Sequence, residues 1–324
     1  MSDPTVTNEP GPRGVPQRTI HERQLDEDML RLQRAASASH QRGQLVEAVR
    51  VSAAVALAIA GVIVTLTGHG RPVLSIIGAF WFAVSAFLLK GVAGSTARQG
   101  ALLQEMFDTA LFHLPWRSTV AGDPVPDPDV YRLARKLRLG SAKEQRIVAG
   151  WYDPTGDVHH PYDVFIAQEQ NLAWDARLRR RYSYLILASA TAWSLIGLLA
   201  GMVIANATVT DTLLSFFVPS LAAYQIALEI WSGQQRVAAE RERLAKTLTT
   251  ELRNVRPGPI ADVDWHRLRE VARDVQDGIL RTRLDPTRVP EWFYKRYRDN
   301  DERDFADTAE MRRRRLTEEQ KPQH

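Results

Sequence analysis

An all-α integral membrane protein, with four transmembrane helices in two hairpins and a cytoplasmic helical bundle, is the fold class this sequence predicts. Three observations predict it. Charge is segregated: of 42 basic and 38 acidic residues, only Arg71, Lys90, Asp211 and Glu229 fall within Val51–Gly94 and Ser183–Gln235. Those two zones contain four neutral, mostly apolar runs. The basic residues outside the runs crowd one side of each pair.

A membrane span needs about eighteen such residues, because a helix rises ~1.5 Å per residue and the hydrocarbon is ~30 Å thick. Val51–Gly68, Pro72–Leu89 and Ser183–Thr210 meet this length, and Thr212–Leu228 nearly does, continuing through Glu229. The connections His69–Arg71 and Asn206–Asp211 hold one arginine and no base, respectively. By contrast Arg42, Arg50, Lys90 and Arg98 flank the first pair. Arg177, Arg179, Arg180 and Arg181 precede the third run, and Arg236, Arg241 and Arg243 follow the fourth. The positive-inside rule then places both termini and Thr96–Arg181 in the cytoplasm, with the arginine block able to meet anionic lipid and Tyr182 and Tyr184 in an interfacial belt. The expected localisation is the cytoplasmic membrane, multi-pass, with the lipid bilayer as the first partner.

The chain divides accordingly. Residues 1–19 read as a disordered leader, 20–50 as a cytoplasmic helix, 51–94 as hairpin 1, and 95–182 as a cytoplasmic helical segment. Residues 183–235 form hairpin 2 and 236–324 the C-terminal cytoplasmic helices. Ile20, Leu25, Met29, Leu30 and Leu32 have helical spacing; a second helix continues from the second span until Pro115. "DVYRLARKLRLG" reads as a helix with Gly140 past its end, and "GWYDPTGDVHHPYD" as turns. The stretch through Gln168–Tyr182 should be one helix entering the third span, and the fourth should run on until Pro257–Pro259. Val263, Leu268, Val271, Val275, Ile279 and Leu280 mark one face of the next helix, and a last one starts near Glu291.

Composition excludes several classes. Cysteine is absent, so disulfides and thiolate metal sites are impossible. A net charge of +4, evenly mixed, gives no reason to expect nucleic acid. No P-loop, GxSxG or HExxH stretch is present, and no enzyme, cofactor or metal is expected. His159 and His160 beside Asp157 and Asp163 invite a zinc reading, against which stands a solvated loop.

Leu102–Trp116 ("LLQEMFDTALFHLPW"), Trp151–Pro154 ("WYDP"), Gln168–Tyr182 ("QEQNLAWDARLRRRY") and "VQDGILRTR…VPEWFYKRYR" within Val275–Arg298, in this order, resemble the SMODS-associating four-transmembrane effector family of bacterial conflict systems. The resemblance spans roughly Ile20 to Glu310. It implies a neighbouring nucleotidyltransferase that makes a nucleotide messenger on phage infection. The messenger then switches the protein into a membrane-permeabilising state, expected to be a homo-oligomer, that kills the cell. A non-conducting scaffold or sensor is the rival reading, and a transporter subunit a weaker one.

The resemblance assigns no residues, so candidate sites come from the sequence. Ser215, Ala222, Gln225, Glu229 and Ser232 fall on one side of the fourth span. A polar stripe in a membrane helix faces protein or water, so Ser215, Gln225, Glu229 and Ser232 are pore-lining candidates, with hairpin packing or an interfacial acid as the alternative. Glu229 lies about 27 Å along the helix from Asp211, near the cytoplasmic headgroups, and Gln225 about 6 Å deeper. Pro219 is a hinge candidate. Gly197 and Gly201 make a GxxxG seam, within or between subunits, and Ala54/Ala58 and Ala79/Ala83 offer similar surfaces. For the messenger, Trp151 and Trp174 are candidates to stack on a base, with Arg177 and Arg179 holding phosphate. Asp108, Asn171 and Asp175 are expected as buried partners of arginines, and Arg312–Arg315 as a lipid-facing or solvated tail.

Overall fold

In the computed structural model, residues 16, 18–67, 71–154, 158–204, 206, 208–255, 260–285 and 287–297 are described, and every structural statement refers to these. Helices and turns, with no strand among them, make up these residues. The helices are α1 (Ile20–Arg23), α2 (Glu27–Thr67), α3 (Arg71–Ala83), α4 (Lys90–Leu111), α5 (Ser118–Ala121), α6 (Asp127–Ala134) and α7 (Ala142–Ala149). They continue with α8 (Tyr162–Leu198), α9 (Val209–Thr212), α10 (Val218–Arg253), α11 (Asp262–Leu284) and α12 (291–297). Three π-helical stretches, Val84–Leu89, Leu199–Ile204 and Leu213–Phe217, join or extend them without a break.

The result is four long rods: α2, α3–α4, α8 with its π-helical end, and α9–α10. The 41 residues of α2 rise about 61 Å, twice the hydrocarbon thickness. Each rod therefore has an apolar half and a polar half. In the apolar halves large hydrophobics point outward: Ile59 and Ile63, Ile76 and Phe80, Leu195 and Leu199, Leu221 and Leu228. Such a continuous exposed band is untenable in water and is the surface a lipid-embedded bundle presents. The helical stretches Glu27–Gly61, Pro72–Leu111 and Tyr162–Val203 are long and apolar enough to cross a membrane. The fourth predicted span lies on α9–α10; the side chains of Leu214, Ser215 and Pro219 fall outside the described ones.

The rods pair α8 with α10 and α2 with α4, and α11 packs on α4, α8 and α10. Beyond the apolar band they enclose a core of Phe107, Phe112, Phe165, Leu172, Leu248, Leu268 and Ile279. A second cluster joins Ala35 and Ala36 of α2 to Leu103, Val130, Leu133 and Leu280.

Local physics moves several predicted boundaries. The N-terminal helix is interrupted at Gln24–Asp26, after a capping box in which Thr19 and Glu22 satisfy each other's free amides. Gln24 then pins the 150–152 turn: its Oε1 accepts from the amides of Trp151 and Tyr152, each at 2.8 Å, and its Nε2 donates to the Tyr152 carbonyl. Helix α4 stops at Leu111, short of Pro115, because Arg23 donates to the Leu111 carbonyl and His113 adopts a positive φ of 54°. Helix α6 ends at Ala134, before the predicted Gly140, where the chain turns Leu137 into a cluster with Leu30 and Ile147. Val263, assigned to the buried face of α11, is 82% exposed, since at ~100° per residue it points away from Leu268, and Trp265 of the same turn is buried instead. Leu268, Val275, Ile279 and Leu280 of that face are buried.

Candidate functional site

Three charged clusters stand out against this framework, one at the edge of the apolar band and two inside the polar bundle. At the band's edge, Glu229 of α10 accepts from Lys90 Nζ at 3.0 Å and lies 3.6 Å from Arg50 of α2. Gln225 Nε2 donates to the same carboxylate at 3.2 Å, and Ser232 Oγ donates to the Glu229 carbonyl at 3.3 Å. Arg50 is buried, donating also to Glu47 at 2.8 Å and to Ser85 Oγ at 3.2 Å. One carboxylate thus ties the fourth rod to the first and second, within one chain. Lys90 and Glu229 are two of the four charges in the apolar zones, and they meet each other.

Gly197 and Gly201 also face inward within the chain. A Cβ on Gly197 would stand 2.0 Å from the Phe216 ring, and one on Gly201 would stand 2.4 Å from Thr212 Oγ1. The close approach lets Trp193 stack on Phe216 and donate to Ser220, while Ser194 meets Tyr224 at 2.8 Å. Ala54 and Ala58 are buried in similar seams; Ala79 and Ala83 are exposed, so that surface faces outward. Ser215 and Pro219 have side chains outside the described residues.

The arginine block does not face lipid as a unit. Successive helix positions turn by ~100°, so four near-consecutive arginines point around the helix. Arg179 points inward, donating to Asp175, to Gln234 Oε1 at 2.7 Å and to the Thr287 carbonyl at 3.1 Å. Arg180 grips Glu242 of α10 at 2.9 Å, and Arg181 lies 5.0 Å from the centre of the Tyr297 ring. Arg177 is exposed.

Inside the bundle, Asp175 Oδ2 also lies 3.0 Å from Arg241 Nε. Arg241 donates to the Asn171 side chain and carbonyl, and Arg288 donates to the Arg283 carbonyl at 3.0 Å. Burial, reinforced by the like charges of Arg179 and Arg283 and only partly offset by Asp175, lowers the Arg241 pKa to about 10. Arg288 falls to about 10 through burial and the neighbouring Arg179. Both stay cationic at neutral pH. Burial opposes ionisation of Asp175, but Arg179, Arg241 and Arg288 overcome it and hold its carboxyl below the ordinary range. Nearby, the His40 ring nitrogens are buried without a hydrogen-bond partner, and burial plus the charge of Arg288 lowers its pKa well below 6.5.

A second polar network is richer in carboxylates than in arginines. Arg273 joins Glu105 at 2.6 Å and Asp277, Arg283 joins Asp108 at 2.6 Å, and Arg117 reaches Asp277 at 2.9 Å. Gln276 bridges Glu105 and Asp108, and Tyr152 OH donates to Asp108 at 2.8 Å. The expected buried partners Asp108, Asn171 and Asp175 therefore all hold arginines.

The four messenger candidates are placed differently from one another. Trp151 is half exposed on the turn held by Gln24, whereas Trp174 packs edge-on against Tyr294 at 4.2 Å between ring centres. Arg179 is buried and Arg177 is at the surface. Sequence reading passed over Arg241, Arg283, Arg288 and His40. A signal existed for two of them: Arg241 shares a helix face with Val237, Ala238 and Leu244, and Arg283 with Ile279 and Leu280, all buried. Of the histidine pair, His160 is buried and meets Asp163 at 2.9 Å, His159 is exposed, and Asp157 lies outside the described residues, as does Arg312–Arg315.

Comparison with known proteins now identifies the family. The SMODS-associating 4TM effector domain matches residues 18–311, and the chain belongs to that family. It is 22% identical over 281 residues to a probable CBASS effector molecule of Bacillus cereus strain VD146, covering 84% of this chain and 91% of that protein. No solved structure matches it.

Proposed function

We propose that this member of the SMODS-associating 4TM effector family is the membrane effector of a bacterial CBASS-type antiphage system. It oligomerises and permeabilises the cytoplasmic membrane when a nucleotide second messenger, made by a partner nucleotidyltransferase, reaches its cytoplasmic helices. Abortive infection is the outcome. The observation that carries this reading is the continuity of the rods: each runs unbroken from the lipid-type band into the charged bundle, so a ligand in the bundle acts directly on the spans. Leu213, Val218, Leu221 and Leu228 turn outward on the fourth rod as their counterparts do on the other three, which supports four spans. The crowding of arginine and lysine at one end of the spans supports cytoplasmic termini.

Gln225, Glu229 and Ser232 line the conducting path in this reading, and the single chain represents the resting state. There Glu229 is held by Lys90 and Arg50; activation releases it to a neighbouring subunit or to water. No catalytic chemistry is assigned. The test is dye release from liposomes carrying purified protein, with a cyclic dinucleotide added, and depolarisation of cells co-expressing the nucleotidyltransferase. Both should occur, and the Gln225→Leu plus Glu229→Leu variant should abolish them. Killing unchanged by that variant removes the fourth rod as the path. A second reading, a non-conducting membrane sensor, draws on the polar stripe being satisfied within one chain; it predicts messenger binding without leakage.

A further inference from the structure

We infer that the interior bounded by α8, α10 and residues 287–297 is the phosphate-binding site for the nucleotide, with Arg179, Arg241 and Arg288 as its phosphate-holding groups. This rests on the effector reading for the word nucleotide; the anion site itself stands on geometry.

Charge comes first. Three guanidiniums here face one carboxylate among the described residues, Asp175, leaving two positive charges without a counter-ion. Burying an uncompensated ion is costly. The neighbouring network shows the contrast: there the buried Arg273 and Arg283 meet three buried carboxylates, Glu105, Asp108 and Asp277.

Donors without acceptors come second. Gln234 gives its Oε1 to Arg179, but its Nε2 is buried with no partner. Arg241 Nε is close to Asp175 yet makes no well-directed hydrogen bond. Both are donors. A cation or an apolar ligand leaves them unsatisfied, whereas an oxyanion with several acceptor oxygens completes them, and planar guanidiniums suit phosphate in particular.

The site is also placed to report its occupancy. Arg288 is followed by Val289 and Phe293, buried against Ala54, Leu178, Tyr182, Ile226 and Ile230 where α2, α8 and α10 leave the apolar band. A phosphate drawing on Arg288 therefore pulls a wedge seated between three rods.

The experiment uses the full chain in nanodiscs of phosphatidylcholine, titrated with pyrophosphate and with a cyclic dinucleotide and read by calorimetry. A parallel set in phosphatidylglycerol separates a lipid headgroup from a soluble phosphate. Wild type should bind both probes in phosphatidylcholine, and Arg241→Gln or Arg288→Gln should weaken binding about ten- to a hundredfold each, as for a lost charge-assisted contact. Asp175→Asn should tighten it about tenfold by removing the competing carboxylate, a gain that a merely structural role would not produce. Absence of binding to wild type, affinity untouched by Arg288→Gln, or a response to phosphatidylglycerol alone overturns the assignment. Tight, arginine-dependent binding without dye release overturns the effector reading and leaves the site standing.

Discussion

Replacing Asp175 by asparagine isolates the arginine cluster. Its Oδ2 receives Arg179 and Arg241, at 3.0 Å for the latter, and both arginines are buried. At an effective dielectric of 20, a contact of this length is worth roughly 5 kcal/mol before desolvation. Removing one partner of a buried pair costs about 3–5 kcal/mol. Asparagine keeps one acceptor oxygen for one of the two guanidiniums, so the expected loss is about 3 kcal/mol, or a fall of roughly 6–12 °C in Tm. Thermal unfolding in detergent, followed by circular dichroism, measures it. The exposed Asp274, which also touches Arg117, is the control: Asp274→Asn should cost under about 1 kcal/mol. The pH dependence has a definite sign. Because the folded protein holds the Asp175 carboxyl below its ordinary value, its stabilisation is present above about pH 4 and is lost as pH falls through the depressed value. Wild type and variant should therefore converge in acid and diverge toward neutrality. A variant that melts with wild type at neutral pH, or a gap that widens in acid, refutes the counter-ion role.

Gly197→Leu or Gly201→Val forces a side chain onto Phe216 or Thr212 and should destabilise the α8–α10 pairing by about 1–3 kcal/mol, read as lowered Tm in the same detergent. Lys90 is half exposed, so a double-mutant cycle with Lys90→Met and Glu229→Gln should give a coupling of only about 0.5–1 kcal/mol. Gln24→Ala should free the 150–152 turn, and hydrogen exchange at the Trp151 and Tyr152 amides should accelerate at least tenfold while exchange in α11 is unchanged.

The rods were legible because their signal is local. A neutral run of eighteen residues is tested by composition alone, and the absence of proline or paired glycine between Gln168 and Leu199 predicts one continuous helix. The pairings within the sites were not, because the partners are distant in sequence. Glu105 meets Arg273 and Asp108 meets Arg283 across more than 160 residues, and no periodicity marks such pairs. Arg179 shows the difficulty best: the sequence offers it and Arg177 alike as phosphate-holding candidates, and only the packing of α10 and Thr287 reveals that Arg179 alone points inward. Ala79 and Ala83 err in the opposite direction. Small residues at i and i+4 permit close packing, but a partner must be there, and α3 faces outward at those positions.

Coupling between the arginine cluster and the band's edge depends on α10 being one stiff body. Arg241 and Glu229 are twelve residues apart, about 18 Å along a helix with no proline between them. A displacement at Arg241 therefore reaches Glu229 undiminished unless the helix bends. Ala239 is exposed and lies between the two. Ala239→Pro removes one backbone hydrogen bond and kinks the rod, at about 3 kcal/mol, without touching either charged cluster. The expected variant is folded, binds pyrophosphate within threefold of wild type, and no longer releases dye with a cyclic dinucleotide. Retained leakage would show that α10 does not carry the signal and would leave the Arg288–Phe293 wedge as the route; lost binding would mean that the arginine cluster itself depends on the straight helix.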